Sequence, residues 1–235
     1  MKPVRIEYCG EWFEVPQEGA FTIGRDADLT IDENPYLHRH FLSIHEDFGL
    51  WWVSNVGALL SATVSDTSGQ VQAWLAPGAK LPIVFQQMHV MFTAGSTTYD
   101  FTIHTEEDYF NTGTATAIGA GSTTIMPVIL TTSQRQLILS LAEHVLLQSV
   151  PGRGSIPTSA EAAERLGWPM TTFNRKLDNV CDKLDKVGVD GLRGGKGKLA
   201  TNRRVRLVEY AVASHLVSVD DLVLLDLPAK GDAEN

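Results

Sequence analysis

The feature that most constrains the fold of this chain is a change of residue pattern near residue 130. Up to about residue 103, short runs of β-branched and aromatic residues alternate with Gly, Pro, Asn and Asp, and no segment has a sustained 3.6-residue apolar stripe. From Ser133 onward, apolar residues recur at helical spacing. The 235 residues suffice for two small domains, so the pattern predicts an all-β domain followed by a mainly α domain.

The first part reads as a β-sandwich over residues 1–105. Its strands are predicted at residues 4–8, 12–15, 21–24, 50–53, 90–93 and 99–103, and turn residues separate them at short intervals. Residues 106–130 lose this periodicity and fill with Gly, Thr, Ala and Ser, which is typical of a flexible linker.

The second part reads as a helical domain over residues 131–228, with a disordered tail at 229–235. An apolar stripe predicts a helix at 133–148, and Thr158 with Glu161 forms a capping box that opens a short helix ending at Gly167. Thr171 or Thr172 is expected to cap a third helix running to Lys186, and further helices are predicted at 205–215 and 220–225. The inner face of the third helix is predicted to consist of Phe173, Leu177, Val180, Cys181 and Leu184.

Charge divides the chain at the same place as the residue pattern. The formal net charge is −9, but residues 1–125 hold 5 basic and 15 acidic side chains, while residues 165–206 hold 11 basic and 4 acidic ones. A local basic patch favours phosphate contacts even in an acidic protein, because the potential near the patch decides binding. A solvated surface gives the same pattern, and charge alone does not separate the two interpretations.

Three short motifs fall between the predicted strands. They are Gly24-Arg25, then His38-Arg39-His40-Phe41, then Asn55-Val56-Gly57. This order resembles the forkhead-associated (FHA) family, whose pattern is Gly-Arg, then Ser-Arg-x-His, then Asn-Gly. The resemblance covers about residues 3–103 and implies an eleven-stranded β-sandwich that binds phosphothreonine peptides through loops at one end.

The resemblance also implies residue roles. Arg25 would reach the phosphate, Arg39 would add a second basic contact, and Asn55 would hold the peptide backbone; guanidinium suits phosphate geometry. His38 replaces a serine that donates to the phosphate, and a histidine can also donate. Phe41 replaces a histidine that braces the loop, and the glycine has moved by one position. These departures leave two alternatives open, working phosphothreonine recognition or a sandwich that has lost or redirected it.

The helical part resembles a winged helix-turn-helix domain. In such folds the N-terminal residues of the second motif helix reach base edges. The resemblance places Thr171, Thr172, Asn174 and Arg175 at the bases, with Lys176 reaching outward. It places Arg193, Lys196, Lys198, Arg203 and Arg204 in a wing that grips the DNA backbone. Capping by the threonines and Asn174, and docking of a protein by the winged helix, are the alternatives.

No motif of an enzyme is found, and we predict no catalytic residue, no cofactor and no metal. A metal reading of His38, His40 and His45 is set aside because no Cys or carboxylate stands at ligand spacing. Cys9 and Cys181 are expected to be reduced and at least partly buried, and the absence of an apolar block indicates a cytoplasmic protein without a membrane segment.

Together the two resemblances imply a bacterial, phosphothreonine-dependent cytoplasmic signalling protein with a DNA-binding output domain, acting as a transcriptional regulator. The expected partners are a serine/threonine kinase, double-stranded DNA, and either a phosphothreonine protein or the chain's own phosphorylated linker. The linker's candidate sites are Thr105, Thr112, Thr114, Thr116, Thr123 and Thr124. The alternative is a non-catalytic scaffold whose sandwich binds an unphosphorylated partner and whose winged helix docks protein.

Overall fold

The first hundred residues form two β-sheets. The structure, a computed structural model, describes residues 2–106, 128–148, 152–193 and 203–227. Residues 2–106 contain eleven strands, which confirms the predicted β-sandwich. The strands are Val4–Tyr8 (β1), Glu11–Glu14 (β2), Ala20–Gly24 (β3), Leu29–Thr30 (β4), Leu42–Asp47 (β5), Leu50–Asn55 (β6), Ala62–Asp66 (β7), Gln72–Leu75 (β8), Lys80–Pro82 (β9), Gln87–Ala94 (β10) and Thr97–Thr105 (β11).

The sheets differ in size and in what covers them. The large sheet has the order β2-β1-β11-β10-β7-β8, and the small sheet has the order β4-β3-β5-β6-β9. All pairs are antiparallel except β3 with β4, where Gly24 lies opposite Thr30. Apolar side chains of the two inner faces pack together, and the largest fully buried ones include Trp51, Phe41 and Phe92. Burying such rings removes the most apolar area from water and anchors the sandwich core.

The second part is helical. Its elements are Thr132–Leu147 (α1), Arg153–Ser155 (β12), Ser159–Arg165 (α2), Met170–Lys186 (α3), Arg203–Ala213 (α4) and a final 3₁₀ helix, Val219–Asp226. The Thr158 capping box is confirmed, and the five residues predicted for the inner face of α3 are its five buried residues. Neither Thr171 nor Thr172 caps α3, because the helix begins at Met170, ahead of both threonines, with Pro169 at the N-cap and no side-chain cap.

The helices lie on the outer face of the large sheet. α4 packs against β7 and β10, and Met91 of β10 belongs to the helical core, which also contains Leu207 and Val208. β12 adds a short strand to the large sheet, with Arg153 opposite Tyr99 of β11. The molecule therefore has three layers, small sheet, large sheet and helices. In the described residues, the helical part therefore packs directly on the sandwich.

A buried polar network joins α4 to the large sheet. Thr63 and Thr93 donate hydrogen bonds to Glu209, with oxygen separations of 3.3 and 2.8 Å. Arg206 donates to the Thr63 hydroxyl at 2.7 Å, and the Thr98 hydroxyl lies 3.0 Å from that of Thr93. All five side chains are buried, so their polar groups depend on partners within the protein for their hydrogen bonds.

Several predictions about the chain's organisation meet the structure only in part. β11 ends at Thr105 and α1 begins at Thr132, but linker residues 107–127 lie outside the described residues, as do Thr112, Thr114, Thr116, Thr123 and Thr124. Thr105 is buried in β11, so its accessibility to a kinase was predicted wrongly.

Cys181 is buried as expected, whereas Cys9 is exposed. Within the described helices, none is both long and apolar enough to cross a membrane.

Candidate functional site

Two predicted motif segments lie side by side at one end of the sandwich. The backbone N–H of Arg25 donates to the carbonyl of His38 at 2.9 Å, and the N–H of Asp26 donates to the carbonyl of Arg39 at 3.1 Å. These bonds continue from the pairing of β3 with β5 and hold the end of β3 against the chain that enters β5. Arg25 and Arg39 therefore lie on neighbouring segments that backbone hydrogen bonds hold together.

Gly24 permits this close approach. A β-carbon at position 24 would lie 2.1 Å from the carbonyl oxygen of Arg39 and 2.8 Å from that of His38. Both obstacles are backbone atoms, which cannot rotate away as the end of a side chain can. The glycine of the first motif is thus required by packing, because any side chain there would separate the two arginine-bearing segments.

A third segment joins the same end of the sandwich. The N–H groups of Val56 and Gly57 both donate to the carbonyl of Phe41, at 3.0 and 3.1 Å. We call the three joined segments, residues 24–26, 38–41 and 55–58, the rim. Phe41 itself is fully buried, and its ring lies 4.8 Å from that of Phe92, so the rim rests directly on the sandwich core.

The two rim arginines are the candidate anion ligands. Arg39 is exposed and Arg25 is half-buried. Among the described residues, neither guanidinium has a side-chain hydrogen bond or an ion pair with another side chain. Charged donors without an internal partner are available to a phosphate, which accepts charge-assisted hydrogen bonds from guanidinium.

His38 has a different role from the one expected. Its Nε2 accepts a hydrogen bond from the backbone N–H of Ala58 at 3.2 Å, and its ring stacks near-parallel to that of Phe41 with centroids 6.1 Å apart. An accepting Nε2 places the ring proton on Nδ1, which is buried and lies beside Gly57. His38 therefore braces one rim segment against another, the role that the family resemblance gives to the residue replaced by Phe41, and its donation to a phosphate stays a prediction.

Asn55 is also occupied within the protein. Only 2% of the residue is exposed. Its amide nitrogen donates to the carbonyls of Leu60 and Leu75 at 2.8 and 2.9 Å, and its oxygen accepts from the N–H of Gly57 at 3.0 Å. These hydrogen bonds close the 55–60 turn and tie it to the end of β8, so the Asn55 side chain is engaged within the protein, and its contact with a peptide backbone stays a prediction.

One acidic group close to the rim, Asp28, is bound locally. Asp28 accepts hydrogen bonds from the backbone N–H and the hydroxyl of Thr22, at 2.8 and 2.7 Å. These bonds, the hydroxyl's first, hold the pKa of Asp28 below its usual value, with a smaller contribution from His40. His40 is exposed beside Arg39 and was not assigned a role from the sequence. Its position next to the second arginine adds another side chain with nitrogen donors to the rim.

Solved structures resemble this part of the chain. They include the FHA-1 domain of Mycobacterium tuberculosis Rv1747 (16% identity, TM-score 0.34, 44% of this chain and 96% of that one). They also include the FHA domain of an Arabidopsis thaliana hypothetical protein (13%, 0.33, 46% and 86%). A third is the N-terminal FHA domain of S. cerevisiae Rad53p in complex with a phosphothreonine peptide (10%, 0.36, 44% and 93%). All three are FHA domains. No protein-family model and no curated protein matches the chain.

The second candidate surface lies outside the sandwich, at the start of α3. α2 and α3 are joined by a tight turn in which Gly167 has a φ of 64°, a left-handed conformation that favours glycine. Thr171, Asn174 and Arg175 are exposed on the first turns of α3, and Thr172 is half-buried. The structure thus brings together the residues predicted for base contacts, with the exception of Lys176.

Lys176 does not reach outward as predicted. Its ammonium donates to the hydroxyl of Ser133 at 2.7 Å and lies 5.6 Å from the ring centre of Trp168. The lysine therefore links α3 to the start of α1. Its charge is held by a hydroxyl and an aromatic face, both of which stabilise an ammonium within the protein.

The basic residues predicted for the wing are largely engaged by α3 or α2. Arg193 pairs with Asp182 at 2.8 Å and with Asp185 at 3.2 Å, and Arg203 pairs with Asp178. Arg204 is partly buried and donates weakly to Ser159 at 3.4 Å, and burial lowers the pKa of its guanidinium. Lys196 and Lys198 lie outside the described residues. The described arginines therefore do not form the free basic wing that was predicted.

The described part of the chain contains no cluster of three or more His, Cys, Asp or Glu residues arranged to hold a metal ion. The histidines that are close in the sequence lie in different places in the fold. His38 lies in the rim, whereas His45 lies within β5 opposite Trp52 of β6.

Proposed function

We propose that this protein is a non-catalytic signalling protein whose sandwich rim binds phosphothreonine peptides through Arg25 and Arg39. The observation that carries the proposal is the joining of the two arginine-bearing segments by backbone hydrogen bonds, with both guanidinium groups unpaired among the described residues. Two guanidinium groups on adjacent segments supply the charge-assisted donors that a phosphate dianion requires. His38 and Asn55 support the site indirectly by fixing the rim.

The proposal is tested by titrating the full chain with a phosphothreonine peptide library and with the same peptides unphosphorylated. We expect binding that requires the phosphate and is weakened by more than about tenfold in Arg25→Ala. The matched control is Arg5→Ala, because Arg5 lies over the Trp12 ring in the same sandwich and is paired with no rim segment. Equal binding of phosphorylated and plain peptides would support the alternative in which the sandwich binds an unphosphorylated partner.

The proposed source of the phosphothreonine is a serine/threonine kinase acting on a partner protein or on the linker. Tethering a phosphorylated linker residue to the rim would raise its effective concentration to the millimolar range, roughly, without any new contact. Linker phosphorylation should therefore lower the affinity for added phosphopeptide. Unchanged affinity after stoichiometric phosphorylation would favour a partner protein as the ligand. The predicted cytoplasmic location fits access to such a kinase.

DNA binding by the helical layer is a second candidate function. It is favoured by one observation, the exposure of Thr171, Asn174 and Arg175 at the start of a helix that follows a tight turn. In a helix-turn-helix, this is where side chains reach base edges, Arg pairing with guanine and Asn with adenine. Since Lys176, Arg193 and Arg203 have intramolecular partners, we expect fewer phosphate contacts than the charge count predicts.

A gel shift on genomic fragments at low salt tests this second function. We expect Arg175→Ala to weaken sequence-specific binding by about tenfold, as loss of a bidentate base contact would. Lys186→Ala is the control, because Lys186 is exposed at the opposite end of the same helix. If the wild-type chain shifts no fragment, the helical layer is better explained as a protein-docking surface of a scaffold.

A further inference from the structure

A residue of the helical part reaches the loop that carries one of the three rim segments, residues 38–41. We call residues 31–41, between β4 and β5, the recognition loop, because it contains His38 and Arg39. Arg153 of β12 forms an ion pair with Asp32 of this loop, with a nitrogen–oxygen distance of 3.1 Å. The helical part and the rim are therefore joined by a side-chain contact that the sequence patterns did not indicate.

Tyr99 lies at the centre of this contact. We call Arg153, Asp32, Asn34 and Tyr99 together the junction. The Tyr99 hydroxyl donates to Asp32 at 2.6 Å and accepts from the amide of Asn34 at 3.0 Å. The guanidinium of Arg153 lies 5.8 Å from the ring centre of Tyr99, and the backbone of Arg153 pairs with Tyr99 in the sheet. Burial, followed by the hydrogen bond to Asp32, raises the pKa of Tyr99, which keeps the hydroxyl a neutral donor.

Short hydrogen bonds connect the junction to the rest of the recognition loop. Asn34 also donates to the carbonyl of Ala94 at 2.9 Å, and its own carbonyl accepts from the N–H of Leu37 at 3.0 Å. Leu37 is buried and directly precedes His38 and Arg39. At the other end of the loop, the N–H of Ile31 donates to the carbonyl of Gly24 at 2.8 Å. Both ends of the loop thus connect the junction to the rim.

We propose that Arg153 is a positioning residue for the rim, so that phosphopeptide binding and docking of β12 on the large sheet are energetically coupled. This inference rests on the proposed function of the rim. Arg153 holds Asp32, Asp32 and Asn34 hold the recognition loop, and the loop sets the position of Arg39. Because coupling between two sites is reciprocal, a bound phosphopeptide also strengthens the docking of β12, and with it the contact between the sandwich and the helical layer.

The test uses the full chain and four variants, with a phosphothreonine peptide selected from the library as the probe. We expect Arg153→Gln and Asp32→Asn each to raise the Kd about two- to fivefold, the range for a half-exposed ion pair. Asp32→Asn retains an oxygen that accepts from Tyr99. The double variant should bind no more weakly than either single variant, since both changes remove the same pair. Arg153→Lys should restore part of the affinity.

The control is Arg135→Gln, which removes an ion pair with Asp221 inside the helical part, at 3.7 Å and similar exposure. It should leave the Kd unchanged. Wild-type affinity in Arg153→Gln would overturn the proposal. Additive losses in the double variant would also overturn it, because they would indicate unrelated destabilisation.

A second measurement, made without peptide, separates this proposal from the proposed function. Arg153→Gln should speed amide hydrogen exchange in residues 33–38 of the recognition loop, whereas Arg135→Gln should not. If the wild-type chain binds no phosphopeptide, the proposed function fails while this measurement still decides whether Arg153 positions the loop. Unchanged exchange in Arg153→Gln would overturn the positioning role.

Discussion

At the scale of single residues, close packing and hydrogen bonds fix most of the rim residues in place. Gly24 lies against two carbonyl groups, Asn55 has its amide fully hydrogen-bonded, and His38 is fixed between Phe41 and Ala58. Arg25 and Arg39 differ from these residues because their guanidinium groups lack partners among the described side chains. The rim thus combines a rigid frame with two free cations, which is the arrangement expected of a preorganised anion site.

Gly24→Ala should separate the two arginine-bearing segments. The new methyl group would overlap the carbonyl of Arg39, so we expect a loss of about 1–3 kcal/mol in the free energy of unfolding, as in overpacked cores, together with loss of phosphopeptide binding. Urea unfolding and peptide titration measure the two effects. Gly10→Ala is the control, because Gly10 has a φ of 81° but open space around it, so it should cost stability while leaving peptide binding intact.

The motif residues show what the sequence could and could not predict at this scale. Gly24, Arg25 and Arg39 were placed together by a resemblance in order and spacing, and the structure joins their segments. The roles of His38 and Asn55 could not be predicted, because a motif does not specify which hydrogen bonds the side chain makes. Arg153 gave no signal in the sequence, since its partner Asp32 is 121 positions away and the two meet only through the β12–β11 pairing.

At the scale of elements, periodicity predicted best where one face of an element is buried. The inner face of α3 was predicted residue by residue, because its opposite face is exposed. β7 was missed, and its first four residues are all buried, since the helical layer covers the side that would otherwise face water. A strand buried on both faces lacks the alternation that identifies strands in a sequence.

The starts of α2 and α3 differ in their caps, and this difference gives a prediction at the scale of elements. Thr158 and Glu161 satisfy each other's backbone N–H groups at the start of α2, whereas Thr171 lies inside α3 and caps nothing. Thr158→Ala should therefore lower the free energy of unfolding by about 1 kcal/mol. Thr171→Ala should change it by less than about 0.5 kcal/mol, as usual for an exposed helical site. Urea unfolding of both variants measures the difference, and equal losses would contradict the observed caps.

At the scale of the whole molecule, the helical layer and the sandwich share a buried interface. α4 contributes Arg206 and Glu209, whose sequence context suggests surface residues, to a network with Thr63, Thr93 and Thr98. Periodicity identified α4 as a helix but could not show what its inner face packs against. The docking was therefore beyond the reach of the sequence, although both partners were identified as separate elements.

Glu209 makes this interface sensitive to pH. Burial is the largest effect and raises its pKa from 4.5 to about 7, against the opposing hydrogen bond from Thr93 and the charge of Arg206. The folded state then binds more protons than the unfolded state between these values, so the free energy of unfolding falls as pH rises from 4.5 to 7. Through Glu209, the free energy of unfolding falls by an amount on the order of 3 kcal/mol over this pH range.

Glu209→Gln should remove that dependence. Relative to the wild type, the variant should gain stability between pH 4.5 and pH 8 by an amount on the order of 3 kcal/mol, since a neutral amide does not titrate. Urea unfolding at several pH values measures this gain. Glu164→Gln, an exposed site in α2, should leave the pH dependence of the wild type unchanged. Parallel pH profiles for Glu209→Gln and the wild type would contradict the assigned burial effect.

The most direct test of the central claim is calorimetric titration of one phosphothreonine peptide into the wild-type chain and into Arg25→Ala, Arg39→Ala and the double variant. Because both guanidinium groups are proposed to bind the same phosphate, each single variant should lose affinity by more than about tenfold, as expected for charge-assisted hydrogen bonds. The double variant should bind phosphorylated and plain peptide equally weakly. Wild-type affinity in Arg25→Ala and in Arg39→Ala would contradict the account.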